Sequence, residues 1–318
     1  MRTHEPHSSV DLRLAHSPVL RDEVVAALCV LRDGAYVDCT FGRGGHTRAL
    51  LDALGSGARL LAIDRDPIAV AVAEELARSD ARLVVRQGRF SELGRIAAEA
   101  GFDGVAGVLM DLGVSSPQLD EPARGFSFRT DGPLDMRMDP ASGPSAADWL
   151  AAASESELAR VFAELGEERH ARRIARAIVA RRREVPLTRT LELAALVEAH
   201  QPRPDPHKHA ATRVFQAIRI HINHELEELE TGLAAALDLL AARGRLAVIT
   251  FHSLEDRLVK RTFAAWARGP ELPRRMPVQS TPLARARLVG RSVQAGAAEV
   301  RANPRARSAR MRVVEKAA

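Results

Sequence analysis

Apolar positions recur along this chain with two alternating periods. Residues 19–31 repeat every three to four positions, as one face of a helix does, and the pattern stops near Gly34. The run Tyr36-Val37-Asp38-Cys39 within residues 35–40 predicts a short buried strand that opens into a glycine-rich turn. The alternation then repeats. A helix is expected over 47–54, stopping at Gly55, then a strand over 59–64 and a helix over 67–78, with Pro67 suited to a first helical turn. Further strands are expected over 82–86 and 105–111. Strands alternating with helices predict an α/β fold with a doubly wound, mostly parallel sheet. After Asp111 the alternation breaks. Residues 112–145 are rich in Gly, Pro, Ser and Asp with little periodicity, which predicts a long functional loop without helix or strand. Residues 146–200 read as helical throughout, with Glu/Arg pairs spaced for exposed faces, and 201–206 (Gln-Pro-Arg-Pro-Asp-Pro) read as a linker. Helices resume over 211–219 and 224–242, followed by a strong strand over 245–251. A helical insert therefore interrupts one α/β domain. The expected divisions are 1–120 for its first part, 121–210 for the insert and 211–318 for its remainder.

Charge adds a direction to this picture. The formal net charge is +5, yet from Arg268 onward there are twelve Lys+Arg against three Asp+Glu, so the chain before it is net acidic. Nearly every base is Arg, with Lys only at 208, 260 and 316. Arginine makes forked contacts to phosphate that lysine cannot, so nucleic acid is the expected partner, against a plain solvated tail. Only Cys29 and Cys39 occur, too few for a disulfide framework or a four-cysteine zinc site, and both are expected as small buried apolar residues. No apolar run approaches the ~18–20 residues that cross a bilayer, and residues 1–10 lack the pattern of a secretory signal. A cytoplasmic location and no membrane contact are expected.

The chemistry-bearing positions fall at strand ends. Gly42-Arg43-Gly44-Gly45-His46 follows a strand and opens a helix, where glycines admit a close ligand and the helix N-terminus favours an anion. Asp64 ends the next strand about 20 residues on, where an acid binds ribose hydroxyls. The pairing suits a nucleoside cofactor, either a dinucleotide or S-adenosylmethionine. Phe90, just past the third strand, suits either an adenine contact or a plain core position. Asp111 ends the fourth strand at the edge where ligands collect, followed by short polar residues up to Asp120. The fifth strand brings Phe251 and His252 to the same edge, and His252 is a candidate proton acceptor, an RNA contact or a loop brace. His200, His207, His209, His221 and His224 lack a known ligand spacing, so no metal is expected.

Several motifs together resemble one family. They are His16-Ser17-Pro18-Val19-Leu20, the Gly42–His46 turn, and Asp111-Leu112-Gly113-Val114-Ser115-Ser116-Pro117-Gln118-Leu119-Asp120. Arg124-Gly125-Phe126-Ser127-Phe128, Asp131-Gly132-Pro133-Leu134-Asp135-Met136-Arg137-Met138, Phe251 to Arg257 and Asn303-Pro304-Arg305-Ala306-Arg307-Ser308 complete the set. The chain is similar in these, in order from about His16 to Lys316, to the bacterial 16S ribosomal RNA cytidine N4-methyltransferases, called the RsmH or MraW family. The resemblance implies a Rossmann-like methyltransferase fold with an inserted helical, RNA-recognition domain. It implies S-adenosylmethionine as cofactor and 16S rRNA within the small ribosomal subunit as partner. By motif, Gly44, Gly45 and His46 line the methionine end, Asp64 holds the ribose, Phe90 flanks the adenine, and Asp111 and Gln118 complete the pocket. Thr47 stands where the family has serine; both carry a hydroxyl. The N-terminal fifteen residues and the stretch from about 268 to 300 match less clearly.

The reaction sets two further expectations. A cytidine amine is a poor nucleophile, so a side chain must fix it and accept its proton, and Asp111 and His252 are the candidates by position. Many amino-methyltransferases carry an Asn/Asp-Pro-Pro-aromatic motif after the fourth strand; here Asp111-Leu112-Gly113-Val114 stands there. An aromatic platform must then come from elsewhere, with Phe126 and Phe128 as candidates. Arg305, Arg307 and Arg310 are expected to contact phosphates, and a homodimer through the insert is compatible with its pattern. A nicotinamide-dependent oxidoreductase would use the same turn and acid, but no residue set for hydride transfer follows the fourth strand.

Overall fold

In the computed structural model, which describes residues 18–201, 209–268 and 284–318, the apolar runs become the middle of one sheet. Strands β1 (Ala35–Asp38), β2 (Arg59–Asp64), β3 (Leu83–Gln87), β4 (Val105–Asp111) and β5 (Leu240–Thr250) pair in parallel in the order β3-β2-β1-β4-β5. Strand β8 (Arg310–Lys316) then joins β5 antiparallel, and the short β6 (Ala286–Leu288) and β7 (Val293–Gln294) pair with its other edge. Successive side chains of a strand point to opposite faces, and both faces here are covered, which is why these strands read as near-continuous apolar runs. Tyr36, Leu60, Leu109 and Ile249 pack toward α1 (Arg21–Leu28), α2 (Gly45–Ala53) and α3 (Pro67–Ser79). Val37, Leu61, Val108 and Val248 pack toward α4 (Leu93–Glu99), α11 (Glu225–Leu239) and α12 (Ser253–Arg268). The fold is the expected doubly wound, mostly parallel α/β sheet.

The insert builds a separate core. Helices α6 (Ala146–Ala152), α7 (Glu155–Gly166), α8 (Ala171–Arg182) and α9 (Thr190–Ala199) bury Leu150, Phe162, Ile174 and Leu193 with Phe126, Leu134 and Met136 from the loop before them. Helix α10 (Thr212–Asn223) adds Val214, Phe215 and Ile218 to the same cluster. The expected division at 210 is therefore displaced: α10 packs with the insert, and the chain returns to the sheet only at α11. The reason is tertiary, since an amphipathic helix does not say in its own sequence which core its apolar face meets.

Other expectations shift locally. The helix expected over 19–31 ends at Leu28, leaving Val30 and Leu31 exposed. Ser116–Asp120 forms a short helix, α5, inside the stretch expected without one, with Pro117 in its first turn. Strand β5 begins at Leu240, five residues early, through a register irregularity opposite Val105 and Gly107. Helices α4 and α13 (Ala297–Ala302) and strand β8 were not expected at all, although Arg310-Met311-Arg312-Val313 alternates as a strand does. Cys39 is buried as expected, whereas Cys29 is half-buried; both are free thiols. His16, Ser17, His207 and nearly all of the 201–206 linker lie outside the described residues. Among the described residues no helix is long and apolar enough to cross a membrane.

Candidate functional site

The sheet order reverses between β1 and β4, and at that point the C-terminal ends of the strands leave a crevice. Its floor is tied together by two side chains. Asp38, fully buried at the end of β1, accepts the Thr47 hydroxyl at 2.7 Å and the Thr40 N–H at 3.1 Å. Burial pushes its carboxyl up, with the Thr47 bond pulling the other way. The hydroxyl at 47 is thus what the position requires. Thr40 in turn accepts the Asp111 N–H at 2.7 Å, joining the ends of β1 and β4. Gly44 caps α2 at φ 74, and a Cβ there would lie 2.5 Å from the Phe41 ring, so the turn needs glycine for both shape and space.

The cavity in this crevice is lined from the end of every parallel strand. Gly45, His46, Asp64, Phe90, Asp111 and Gln118 all stand on its wall; Gly44 does not, and shapes the turn behind it. Asp64 points one oxygen at the Gly42 N–H (2.8 Å) and the other at the Asp66 N–H (2.9 Å). Burial nevertheless pushes its carboxyl up to about 6. His46 is buried, with Nε2 at 3.4 Å from Asp111 Oδ2, and neither ring nitrogen nor Asp111 Oδ1 has a hydrogen-bond partner. Burial pulls the His46 imidazole down, but the carboxylates of Asp111 and Asp38 override it and hold it above its ordinary value. Phe90 faces the cavity while its ring lies against Gly232 of α11. Gln118 accepts the Ser115 N–H through Oε1 (3.0 Å) and donates to Asp66 (2.8 Å), so its amide holds the loop as well as the wall. Asp66 also takes Arg124 at 2.8 Å, and Arg124 donates on to the carbonyls of Arg137 and Met138. That buried arginine pins the insert's leading loop to the end of β2; sequence reading missed it because neither residue is near the other in the chain.

At the end of β5 the arrangement differs from expectation. His252 is not on the cavity wall; Phe251 and Glu255 are. Glu255, 2% exposed, accepts the N–H groups of Phe251 (2.8 Å) and His252 (3.2 Å), and His252 Nε2 lies 3.0 Å from its other oxygen. Burial pushes the Glu255 carboxyl up, but His252, Arg219 and the backbone donors outweigh it and hold it below the usual range. Glu225, His252 and Glu255 place ligand atoms within 4.8 Å of one another, the one such group of three among the described residues. The set does not suit a cation, because both Glu225 oxygens are held by Arg219 at 2.7 and 2.8 Å. Two other histidines are packed on aromatic rings: His209 stacks on Phe128 at 4.6 Å and His221 lies on Trp149 at 4.6 Å.

The expected platforms and phosphate contacts also move. Phe126 is buried in the insert core and Phe128 packs on Phe215 and His209, so neither reaches the cavity wall. Arg305 binds Ser116 (2.7 Å) and Asp120, and Arg310 faces Asp256 at 3.8 Å; both are engaged inside the chain, while Arg307 is exposed. Local charge could not reveal these long-range partners.

The sequence matches the MraW methylase family over residues 13–317. It is 57% identical, over 95% of this chain and 89% of the other, to the ribosomal RNA small subunit methyltransferase H of Xanthomonas euvesicatoria pv. vesicatoria. It is 54% identical, over 96% of this chain and 98% of the other, to the protein of the same name from Thiobacillus denitrificans. Among solved structures, an rRNA methylase from Streptococcus thermophilus overlaps 94% of each chain at 10% identity and a TM-score of 0.41, too loosely to build on.

Proposed function

The chain belongs to the MraW methylase family, and from that premise we propose that it methylates the exocyclic N4 amine of a cytidine in the 16S rRNA of the small ribosomal subunit, with S-adenosylmethionine as methyl donor. The observation that carries the reading is a set of unsatisfied buried groups, His46 and Asp111, sharing one cavity with Asp64 at the sheet's reversal. Buried polar atoms without partners call for a ligand that supplies them. An amino-acid end fits the His46–Asp111 pair, which offers both a donor and an acceptor, and ribose hydroxyls fit the Asp64 carboxylate. Phe90 offers the adenine an apolar face, and Gln118 closes the wall beside it. When bound, S-adenosylmethionine supplies a methyl group activated by a sulfonium sulfur.

The protein's part is to bring the amine to that methyl group, exclude water and take up a proton. In this reading the insert recognises RNA. Its support is a groove between α7 and α8 bordered by Arg160, Arg169, Arg172, Arg173 and Arg176. Arg169, Arg172 and Arg173 are exposed and form no ion pair among the described residues. Incubation with labelled S-adenosylmethionine and small subunits lacking the modification, followed by mapping of the labelled nucleotide, tests the whole reading. Label at one cytosine N4 is the expected result; label elsewhere, or none, removes it.

A further inference from the structure

The geometry points to a subsite for the target cytosine formed by Phe251 and Glu255 at the end of β5, an inference that rests on the methyltransferase reading above. Three phenylalanines stand on the cavity wall, namely Phe41, Phe90 and Phe251. Phe41 is buried at 3% beneath the glycine turn; Phe90 and Phe251 are both partly buried, but the Phe90 ring is set against Gly232 of α11. The Phe251 backbone follows directly on the join between β5 and the loop leaving β4, where Leu112 donates to the Ile249 carbonyl at 3.0 Å. Its ring lies over Gly113, at φ 98, where a Cβ would sit 3.4 Å from Phe251 Cδ2. A Cβ at 113 would only touch the ring in ordinary contact, so it is the backbone φ that calls for glycine there, and the ring stands at the edge where an aromatic motif is missing from the sequence. An aromatic face backed on one side and open to a cavity on the other is the ordinary platform for an unstacked base.

Glu255 stands on the same wall and is tied to Phe251 by the hydrogen bond it accepts from the Phe251 N–H. Arg219 brings positive charge toward it, His252 Nε2 lies 3.0 Å from its other oxygen, and Glu225, within 4.8 Å, brings negative charge that Arg219 already holds. An ionised carboxylate beside a stacking ring selects cytosine, whose N4 offers N–H donors, over uracil, whose O4 presents a second acceptor. In the reaction the N4 electron pair forms the new nitrogen–carbon bond as the methyl–sulfur bond breaks, its pair staying on sulfur. N4 then carries one proton too many, and the Glu255 carboxylate accepts it. A carboxylate held below its ordinary pKa is basic enough, since a protonated exocyclic amine of this kind is a far stronger acid.

The test uses the full chain and small subunits carrying either cytidine or uridine at the mapped position. Without cofactor, wild-type protein should bind the cytidine form about tenfold more tightly, and Glu255→Gln should lose that preference. Gln keeps an oxygen for the two backbone N–H groups, so the loop survives. With saturating cofactor, Glu255→Gln should slow single-turnover transfer about 100-fold, the range for a lost general base. Phe251→Leu should weaken subunit binding about tenfold, whereas Phe251→Tyr should stay within about threefold of wild type, because stacking needs a ring and packing alone would not. Cofactor affinity of each variant, measured by calorimetry, should match wild type and certifies the fold. Retained cytidine preference in Glu255→Gln, or equal behaviour of the Leu and Tyr variants, overturns the subsite. If the wild-type protein transfers no label to either subunit, the methyltransferase reading fails instead.

Discussion

Asp64 sits where two requirements conflict. Its two backbone N–H donors favour the carboxylate, yet burial wins and pushes the group up to about 6. A raised pKa in the folded protein means that ionising this group costs stability as pH rises through about 6, and that the neutral form dominates below it. Ribose hydroxyls need the ionised acceptor, so cofactor affinity should fall as pH drops through about 6, and calorimetric titration between pH 5 and 8 should follow that loss. Asp64→Ala should weaken binding by ~1.5–3 kcal/mol, the range for hydrogen bonds to a charged group, and should flatten this pH dependence. Arg124 poses the opposite case. It pairs with Asp66 where the two side chains are 9% and 5% exposed. Arg124→Met would strand a buried carboxylate, at a cost of about 3–5 kcal/mol. Denaturant unfolding should show this, with part of the loss recovered in the double variant Arg124→Met/Asp66→Asn.

Among the elements, the basic ones divide by what their arginines already hold. The C-terminal strand and the segment before it carry most of the positive excess, but Arg287, Arg305 and Arg312 pair with Glu315, Asp120 and Asp256. Helix α8 carries less of the excess and leaves Arg172 and Arg173 exposed beside the groove. If these two face phosphates, replacing both with Ala should weaken RNA binding and reduce the slope of log affinity against log salt by about 2. Replacing Arg305 should act differently: it unties α5 from the C-terminal segment and lowers stability, with little change in that slope. Affinity measured over a salt series separates the two elements.

At the scale of the molecule, two cores meet through a few polar joints. Arg65 donates to the Asn223 carbonyl at 2.9 Å, and Asn223 itself, buried at the end of α10, bonds the backbone of Met136 and Met138. The cavity proposed for the cofactor belongs mainly to the sheet side of this join. Ligand binding stabilises what it touches, so S-adenosylmethionine should slow amide exchange most in α2 and the ends of β1, β2 and β4. The insert core around Phe162 and Ile174 should change least. Hydrogen exchange with mass readout would show it, and equal protection of both cores would mean that they open as one unit.

The parallel sheet was legible because its signal is local. A strand buried on both faces must be apolar at every position, and 59–64 and 105–111 say so without reference to any neighbour. The placement of the glycine turn, Asp64 and Asp111 at strand ends was legible for the same reason, from the local run of residues alone. Tertiary structure alone decided which core α10 would join, because an apolar stripe does not name its partner. It decided that Gln118 and Arg124 would converge on Asp66, from 52 and 58 positions away. It also decided that Glu255, in the first turn of α12, and not His252, which precedes that helix, would stand on the cavity wall. Which arginines remain free was likewise settled by ion pairs such as that of Arg305 and Asp120, 185 residues apart. Patterns repeated within a few residues carry the elements, whereas charge pairing and the choice of wall residues arise only when distant segments are brought together.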